Sequence, residues 1–199
     1  IIFCIIKISR NKNYSNRNLG KIKLARGLCY KPRQSIGKVS APTPIPDHID
    51  YDLWCGPSPA QPLRRAKLHY DWHWMWDYGN GDLGNQGIHQ MDIARWGLNE
   101  MNLGQSVLSY GGRFGYEDAG ETANTQVSIH EFAGKRLVFE VRGLKTDKYM
   151  DAGVGVVFKG TDGYLVLPSY SGGIVLDKDG KPTDKKFEGG GDRHHFDNF

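Results

Sequence analysis

The stretch DYGNGDLGNQGIHQMD, residues 77 to 92, places three polar side chains where a helix is expected to begin. Asn85, His89 and Asp92 are spaced four and three residues apart, so they share one face of that helix. A helix N-terminus attracts anions and hydroxyl-rich ligands, and a histidine can exchange a proton near neutral pH. The spacing therefore indicates a site in which His89 moves a hydroxyl proton while its neighbours orient the hydroxyl group.

A purely structural interpretation of the same residues stays open. Asn85 is typical of a helix N-cap, and His89 can be a hydrogen-bonded core residue. Asp92 can pair with Arg95 or Arg64.

The same stretch contains Gly79-x-Gly81-x-x-Gly84, the spacing of a dinucleotide-binding loop. Such a loop follows a buried, Val/Ile-rich parallel strand. Here it follows HYDWHWMWDY, which has two His, two Asp and three Trp and is a poor candidate for such a strand. The glycines are therefore expected to let a loop turn tightly and approach a ligand or another element.

Two further patterns lie in the aromatic segment. His69, Asp71 and His73 could ligate a metal, but aromatic packing explains them better, and no metal site is predicted. The alternating tryptophans are consistent with a platform that stacks on a sugar and equally with core packing (Trp72, Trp74 and Trp76).

The elements that must position these residues follow from periodicity. Residues 86–99 have helical spacing, and Lys21–Tyr30 begins as a strand with one solvated face. Three strands are expected after residue 105, and hairpin turns are expected at Ala133–Lys135, Gly160–Gly163 and Lys178–Gly180. The predicted fold class is α+β, α/β sandwich-like: a mostly antiparallel open sheet built from hairpins with helices on one face.

Composition is that of an ordinary globular protein of 199 residues, with 39% hydrophobic and 24% charged residues. Residues 1–40 contain ten Lys/Arg and no acidic residue, which suggests an exposed surface or one that faces another part of the protein. Neither nucleic-acid nor membrane binding is predicted, because no recognised motif or apolar span is present. Three cysteines without a C-x-x-C pair favour buried free thiols.

Four stretches carry a resemblance to a known family: GKIKLARGLCYKPRQSIGK, DYDLWCGPSPAQPLRR, LHYDWHWMWDYGNGDLGNQGIHQMDIARW and GGRFGYEDAGETANTQVSIHEF. They resemble the second domain of the Gfo/Idh/MocA family of NAD(P)-dependent oxidoreductases, in its bacterial Trp-rich branch. The resemblance covers residues 19–199, the substrate-binding and oligomerisation domain. Residues 1–18 are expected to be irregular or a truncated remnant, and no Rossmann domain is expected in this chain.

The resemblance implies hydride transfer between a nicotinamide and a sugar, cyclitol or related polyol. His89 matches the catalytic histidine and Asp92 the acid after it, whereas Asn85 stands where the family has Asp. Asn cannot act as a base, so His89 is expected to accept the proton while Asn85 orients the hydroxyl. The remaining residues expected to bind substrate are neighbours of this pair (Asp92, His73, Trp76, Asn80 and Gln86).

The resemblance also implies NAD or NADP in the intact protein, held by a preceding Rossmann domain. No tight cofactor binding is expected for this chain alone, and homo-oligomers are expected to form through the sheet. Two other functions stay open: a non-enzymatic carbohydrate- or protein-binding domain, and an NAD-assisted glycoside-cleaving enzyme. The compartment, cytoplasm or periplasm, is left open.

Overall fold

The structure is a computed structural model that describes residues 19–170 and 172–188. Its strands are β1 (Leu24–Cys29), β2 (Ser106–Gly112), β3 (Thr125–Phe132), β4 (Lys135–Arg142), β5 (Val154–Lys159), β6 (Gly163–Ser169), β7 (Gly172–Asp177) and β8 (Pro182–Glu188). Its helices are α1 (Tyr51–Cys55), α2 (Asp82–Asn85), α3 (Gly87–Leu98) and a 3-10 turn at Asp71–Trp74.

All eight strands form one open sheet in the order β2-β3-β4-β1-β5-β6-β7-β8. Every neighbouring pair is antiparallel except β1 and β4, which are parallel. The predicted hairpin-built, mostly antiparallel sheet is confirmed. The sequence did not indicate that β1 would lie at its centre, between two groups of strands that follow it much later in the chain.

The three predicted hairpins are present and turn where the sequence indicated. Gly134, between β3 and β4, has φ +74°, and Gly180, between β7 and β8, has φ +81°. These positive values explain the glycines, because other residues rarely adopt them.

Helix α3 covers one face of the sheet centre and packs on β1, β4 and β5. Gly27 of β1 brings the two elements together, since a Cβ there would lie 3.0 Å from the Cβ of Gln90. Ile93, Ala94 and Leu98 of the helix belong to the main core with apolar side chains of six strands (Ala25, Cys29, Phe132, Leu137, Phe139, Val141, Val156, Phe158, Leu165, Leu167 and Val175). Gly87, the first residue of the helix, lies against the Phe139 ring of β4, which fixes the start of the helix over the centre of the sheet.

The opposite face of the sheet is apolar as well. Leu28, Val157 and Val166 are buried there under partly exposed side chains such as those of Tyr149 and Met150. Towards the β2 edge this cover ends: Leu108 and Tyr110 are 69% and 84% exposed. Both residues pair with β3 positions on this face (Ile129 and Val127).

A loop between β2 and β3 supports the segment that leads to α3. Arg113 and Asp118 form a buried, two-bond ion pair inside it, with both N–O distances at 2.6 Å. The backbone N–H groups of Glu121 and Thr122 donate to the carbonyl of Trp74. The Glu121 carboxylate accepts a hydrogen bond from the N–H of Trp76.

Several sequence predictions are refined by the structure. The helix predicted at 86–99 is α3, and the strand predicted at 21–30 is the shorter β1. Asn85 as N-cap is wrong, because α2 ends at Asn85 and Gln86 precedes α3. Cys29 and Cys55 are buried free thiols as predicted; Cys4 and the predicted remnant 1–18 lie outside the described residues.

Within the described part of the chain, every helix is too short or too polar to cross a bilayer. No Rossmann-type sheet occurs among residues 19–170 and 172–188, where β1 and β4 are the only parallel neighbours.

The Arg113–Asp118 pair predicts a pH-dependent stability. Burial alone would raise the pKa of Asp118, but hydrogen bonds from Arg113 and from the N–H groups of Ile36 and Gly120 outweigh it and lower that pKa. The pair therefore stabilises the fold above the unfolded pKa of about 3.9, and this contribution is lost as pH falls through the lower folded value.

We expect Asp118→Asn to reduce the free energy of unfolding at pH 7 by about 1–3 kcal/mol in urea titrations. The difference from wild type should shrink as pH is lowered below about 4. Asp179→Asn, an exposed change in a hairpin turn, is the matched control. An equal effect of both substitutions at pH 7 would contradict the anchoring role of Asp118.

Candidate functional site

Two hydrogen-bonded networks flank the start of α3. The first surrounds Asp82, a residue only 2% exposed at the start of α2. Arg33, from the segment that follows β1, donates hydrogen bonds to both carboxylate oxygens of Asp82, with N–O distances of 2.8 and 2.7 Å. The hydrogen bond to Asp82 raises the pKa of Arg33 and keeps the guanidinium charged. A buried charge pair of this geometry fixes both backbones from which it extends.

Hydrogen bonds connect Asp82 to two of the predicted site residues. The Asn85 amide donates to Asp82 Oδ1 at 3.3 Å, and Asn85 Oδ1 lies 3.1 Å from His73 Nε2. His73 Nδ1 bonds the Tyr70 carbonyl, and the Tyr70 hydroxyl accepts from Arg33 at 2.9 Å. The network thus closes into a ring of five residues that holds Asn85 and His73 in one arrangement.

The second network lies at the first turn of α3. The side-chain amides of Gln86 and Gln90, both buried, donate to the hydroxyl of Tyr170. Gln86 also donates to Gln90 Oε1 at 3.2 Å. Two donated bonds occupy the acceptor sites of the Tyr170 oxygen, so its own hydrogen is free to be donated outward.

His89 lies beside this second network and is exposed. Its ring stands edge-on to the ring of half-exposed Tyr170, with 5.8 Å between centroids. A hydroxyl-bearing ligand at this point would meet an imidazole that can take a proton and a phenol that can donate a hydrogen bond.

The structure brings together some of the predicted site residues and leaves others apart. His73 and Asn85 share the first network. Gln86 belongs to the second network, and His89 lies beside it. Within the described residues, no hydrogen bond links the other three side chains to either network (Trp76, Asn80 and Asp92).

The suggested pairing of Asp92 with Arg95 or Arg64 is wrong. Asp92 has no ion pair in the described part of the chain, and Arg95 donates to the carbonyl of Met101 instead. Among the described residues, the half-buried Asp92 carboxylate therefore has no ion-pair partner.

The glycine-rich stretch packs against protein. A Cβ on Gly79 would lie 2.7 Å from the His73 carbonyl oxygen, and Gly81, at φ +66°, lies against Thr122. The prediction that these glycines permit close approach to another element is confirmed. Among the described residues, no group of three or more His, Cys, Asp or Glu is arranged to hold a metal ion.

The aromatic segment divides its tryptophans between core and surface. Trp74 is buried, Trp72 stacks on His73 with 3.9 Å between centroids, and Trp76 is exposed. Core packing is therefore the role of Trp74, whereas the exposed Trp76 is available to stack on a ligand.

Five residues of the two networks escaped sequence reasoning: Arg33, Tyr70, Asp82, Gln90 and Tyr170. Asp82 and Gln90 could have been found, because they lie three residues before Asn85 and four after Gln86 on the same helical faces. Arg33 and Tyr170 reach the site through the fold from about 50 and 80 residues away, which no local pattern indicates.

Comparison with known proteins supplies the context. Residues 20–166 match the second-domain model of the Gfo/Idh/MocA proteins, described as "Oxidoreductase family, C-terminal alpha/beta domain". No curated protein is significantly similar to the chain in sequence.

Solved structures with a similar fold include three dehydrogenases or oxidoreductases. The WlbA dehydrogenase from Bordetella pertussis, in complex with NADH and UDP-GlcNAcA, has 14% identity and TM-score 0.52, covering 98% of this chain and 47% of that one. Levoglucosan dehydrogenase, in complex with NADH and levoglucosan, has 14% identity and TM-score 0.55, covering 94% and 44%. An NAD binding oxidoreductase from Klebsiella pneumoniae has 16% identity and TM-score 0.53, covering 94% and 51%. The chain spans about half the length of these proteins, and the likeness establishes the fold.

The Arg33–Asp82 pair predicts that replacing one partner lowers the free energy of unfolding more than replacing both. Asp82→Asn leaves a buried guanidinium without its counter-charge and should cost about 3–5 kcal/mol in the free energy of unfolding. Replacing both partners, Arg33→Met with Asp82→Leu, should cost less than Asp82→Asn alone. Urea unfolding of the three proteins measures this, with Glu117→Gln in the exposed Lys38–Glu117 pair as control. A double variant less stable than Asp82→Asn would contradict the buried-charge argument.

Proposed function

Because the chain belongs to the Gfo/Idh/MocA oxidoreductase family as its C-terminal alpha/beta domain, we propose that it is the substrate-binding half of a nicotinamide-dependent oxidoreductase that acts on a sugar, cyclitol or related polyol. The observation that carries the proposal is the pairing of an exposed His89 with an oriented Tyr170 at the fixed start of α3. The similar structures that contain NADH with a sugar nucleotide or with levoglucosan support this substrate class.

In the proposed mechanism this chain handles the substrate hydroxyl. His89 accepts the hydroxyl proton as the carbinol carbon is oxidised and returns it in the reverse direction. Asn85, held by Asp82 and His73, orients the hydroxyl through its amide. Tyr170 donates a hydrogen bond to a neighbouring oxygen of the substrate. Asp92, Trp76 and Asn80 remain proposed contacts with the rest of the ligand.

The glycine-rich stretch does not suit the phosphates of a dinucleotide. Gly79 and Gly81 lie against His73 and Thr122, so their backbone is occupied by protein contacts. We therefore place NAD or NADP on a Rossmann domain that precedes this chain in the intact protein. When bound there, the nicotinamide supplies the hydride acceptor or donor.

A second partner is proposed for the open face of the sheet, where a copy of the same chain would cover the apolar strip at the β2 edge. Leu108 and Tyr110 are strongly exposed there, and the half-buried Val127, Ile129 and Val138 extend the strip across β3 and β4. Exposed apolar patches on a sheet face are typical of subunit contacts.

The catalytic proposal predicts a selective loss of turnover. In the intact protein, assayed by NAD(P)H formation against a panel of sugars and cyclitols, His89→Ala should lower kcat by about 10²–10⁴-fold. Asn85→Ala should raise KM and lower kcat less, because Asn85 orients the hydroxyl without moving its proton. His48→Ala, at an exposed position in the Pro-rich loop, is the control. A His89→Ala enzyme with the wild-type rate would refute the proton-transfer role.

The oligomer proposal predicts that Leu108→Lys with Tyr110→Glu shifts the chain to a smaller molecular mass in light scattering after size exclusion. Leu53→Lys, a change at a similarly exposed apolar residue on α1, should leave the mass unchanged. A wild-type chain that is monomeric at all concentrations would refute the proposal.

A further inference from the structure

A cavity of about 330 Å³ lies beside Arg33, the residue that also bonds Asp82. The segment after β1 forms one wall, and the aromatic segment before α2 forms the other (Pro32, Arg33, Ile36, Tyr70, Asp71 and Trp74). Its volume falls within the range of small-molecule sites, about 300–1,000 Å³. Neither His89 nor Tyr170 lines it, so it is distinct from the face assigned to proton transfer.

Asp71 supplies the unusual chemistry of this cavity. The residue is only 9% exposed, yet in the described part of the chain its carboxylate has no hydrogen-bond donor and no ion pair. Burial raises its pKa, opposed by the charges of Lys67, Arg65 and His73 and supported by that of Asp118. Buried carboxylates normally accept hydrogen bonds from protein groups. Because the Asp71 carboxylate opens into the cavity without such a bond, it suits a ligand that carries hydrogen-bond donors.

The backbone beside Asp71 is strained. Tyr70 has φ +64° and ψ −47°, and the Asp71 N–H donates to the His69 carbonyl at 2.8 Å, which makes a γ-turn of the rare, positive-φ kind. Non-glycine residues in such conformations persist where the surroundings hold them, often next to ligand sites. Arg33 and His73 hold Tyr70 here, the first through its hydroxyl and the second through ring contact at 4.6 Å.

The cavity wall combines two features that suit a sugar ring. The half-exposed Tyr70 ring, next to buried Trp74, offers an aromatic surface for the C–H face of a ring. Asp71 offers a charged acceptor for hydroxyl groups.

Charge balance disfavours an anionic ligand. Arg33 is neutralised by Asp82, and the charges of Lys67 and Asp71 offset each other without forming an ion pair. With these charges offset, the cavity lining has no net charge, which fits a neutral ligand.

We propose that this cavity binds a neutral, hydroxyl-rich ring, such as a pyranose unit, with Asp71 accepting its hydroxyl hydrogens and Tyr70 stacking on its face. Binding here requires neither a nicotinamide nor turnover. The cavity can therefore bind its ligand whether or not the chain has the redox function proposed above.

The test is a titration of the 199-residue chain with methyl pyranosides of glucose, galactose, mannose and N-acetylglucosamine, and with myo-inositol, each to roughly 50 mM, far above the ~1 mM Kd of a weak ligand. Amide chemical shifts in two-dimensional NMR report the location. At least one probe should saturate and shift the signals of residues 33–36 and 66–74. No saturable shift with any probe would overturn the proposal. Shifts confined to His89 and Tyr170 would also overturn it, while supporting the separate proton-transfer site.

Two variants separate ligand binding from folding. Asp71→Asn should weaken the binding probe about tenfold or more, the loss expected for a hydrogen bond to a charged group. Its Tm should be unchanged or higher, because no protein group in the described part of the chain is hydrogen-bonded to the Asp71 carboxylate. Asp184→Asn, an exposed change on β8, should alter neither quantity. A fall in Tm of more than about 3 °C for Asp71→Asn would make the residue structural and refute the proposal.

Inorganic phosphate serves as the anionic probe. Saturable phosphate shifts at residues 66–74 that Lys67→Gln abolishes, with no response to any sugar, would overturn the assignment to a neutral ring.

Discussion

The buried ion pair between Arg33 and Asp82 is the constraint on which the site depends. It joins the segment leaving the central strand β1 to the first residue of α2, and it sets the position of Asn85, His73 and Tyr70 through a closed ring of hydrogen bonds. Two charges removed from water need hydrogen-bond partners for their polar atoms, and here each residue of the pair makes more than one hydrogen bond. The same guanidinium forms a wall of the neighbouring cavity, so the two places share one rigid support.

The pair is one of three that join the basic first part of the chain to later carboxylates. The acid-free first 40 residues appeared to present a basic surface, yet three of their cations reach carboxylates supplied much later: Arg26 to Glu140, Arg33 to Asp82 and Lys38 to Glu117. Three of the six cations that the structure describes in this segment are therefore balanced by distant carboxylates. Long-range pairing of this kind links early and late segments, which a local charge count does not reveal.

Sequence periodicity predicted what local rules determine. Helix α3 and three hairpins follow from apolar spacing and from glycines at turns, and His89 lies at the helix start as expected. The cap prediction failed because a separate short helix ends at Asn85, which turns its side chain towards Asp82 rather than to the start of α3. The position of β1 in the sheet and the approach of Arg33 and Tyr170 depend on contacts across the whole fold. Those contacts leave no periodic trace in the sequence.

The central position of β1 has a consequence for how the chain reaches its native state. β2–β4 and β5–β8 can each form as hairpin units from neighbouring segments, but they touch only through β1. Leu24 of β1 pairs with Arg136 and Lys159, more than 100 residues away, so loop closure is costly and folding is expected to be slow. A ribosome releases β1 before the other strands of this sheet, yet β1 has no partner until β4 has been synthesised. Until it inserts, β4 and β5 present open, apolar edges, and this is the interval in which the nascent chain is most exposed to aggregation.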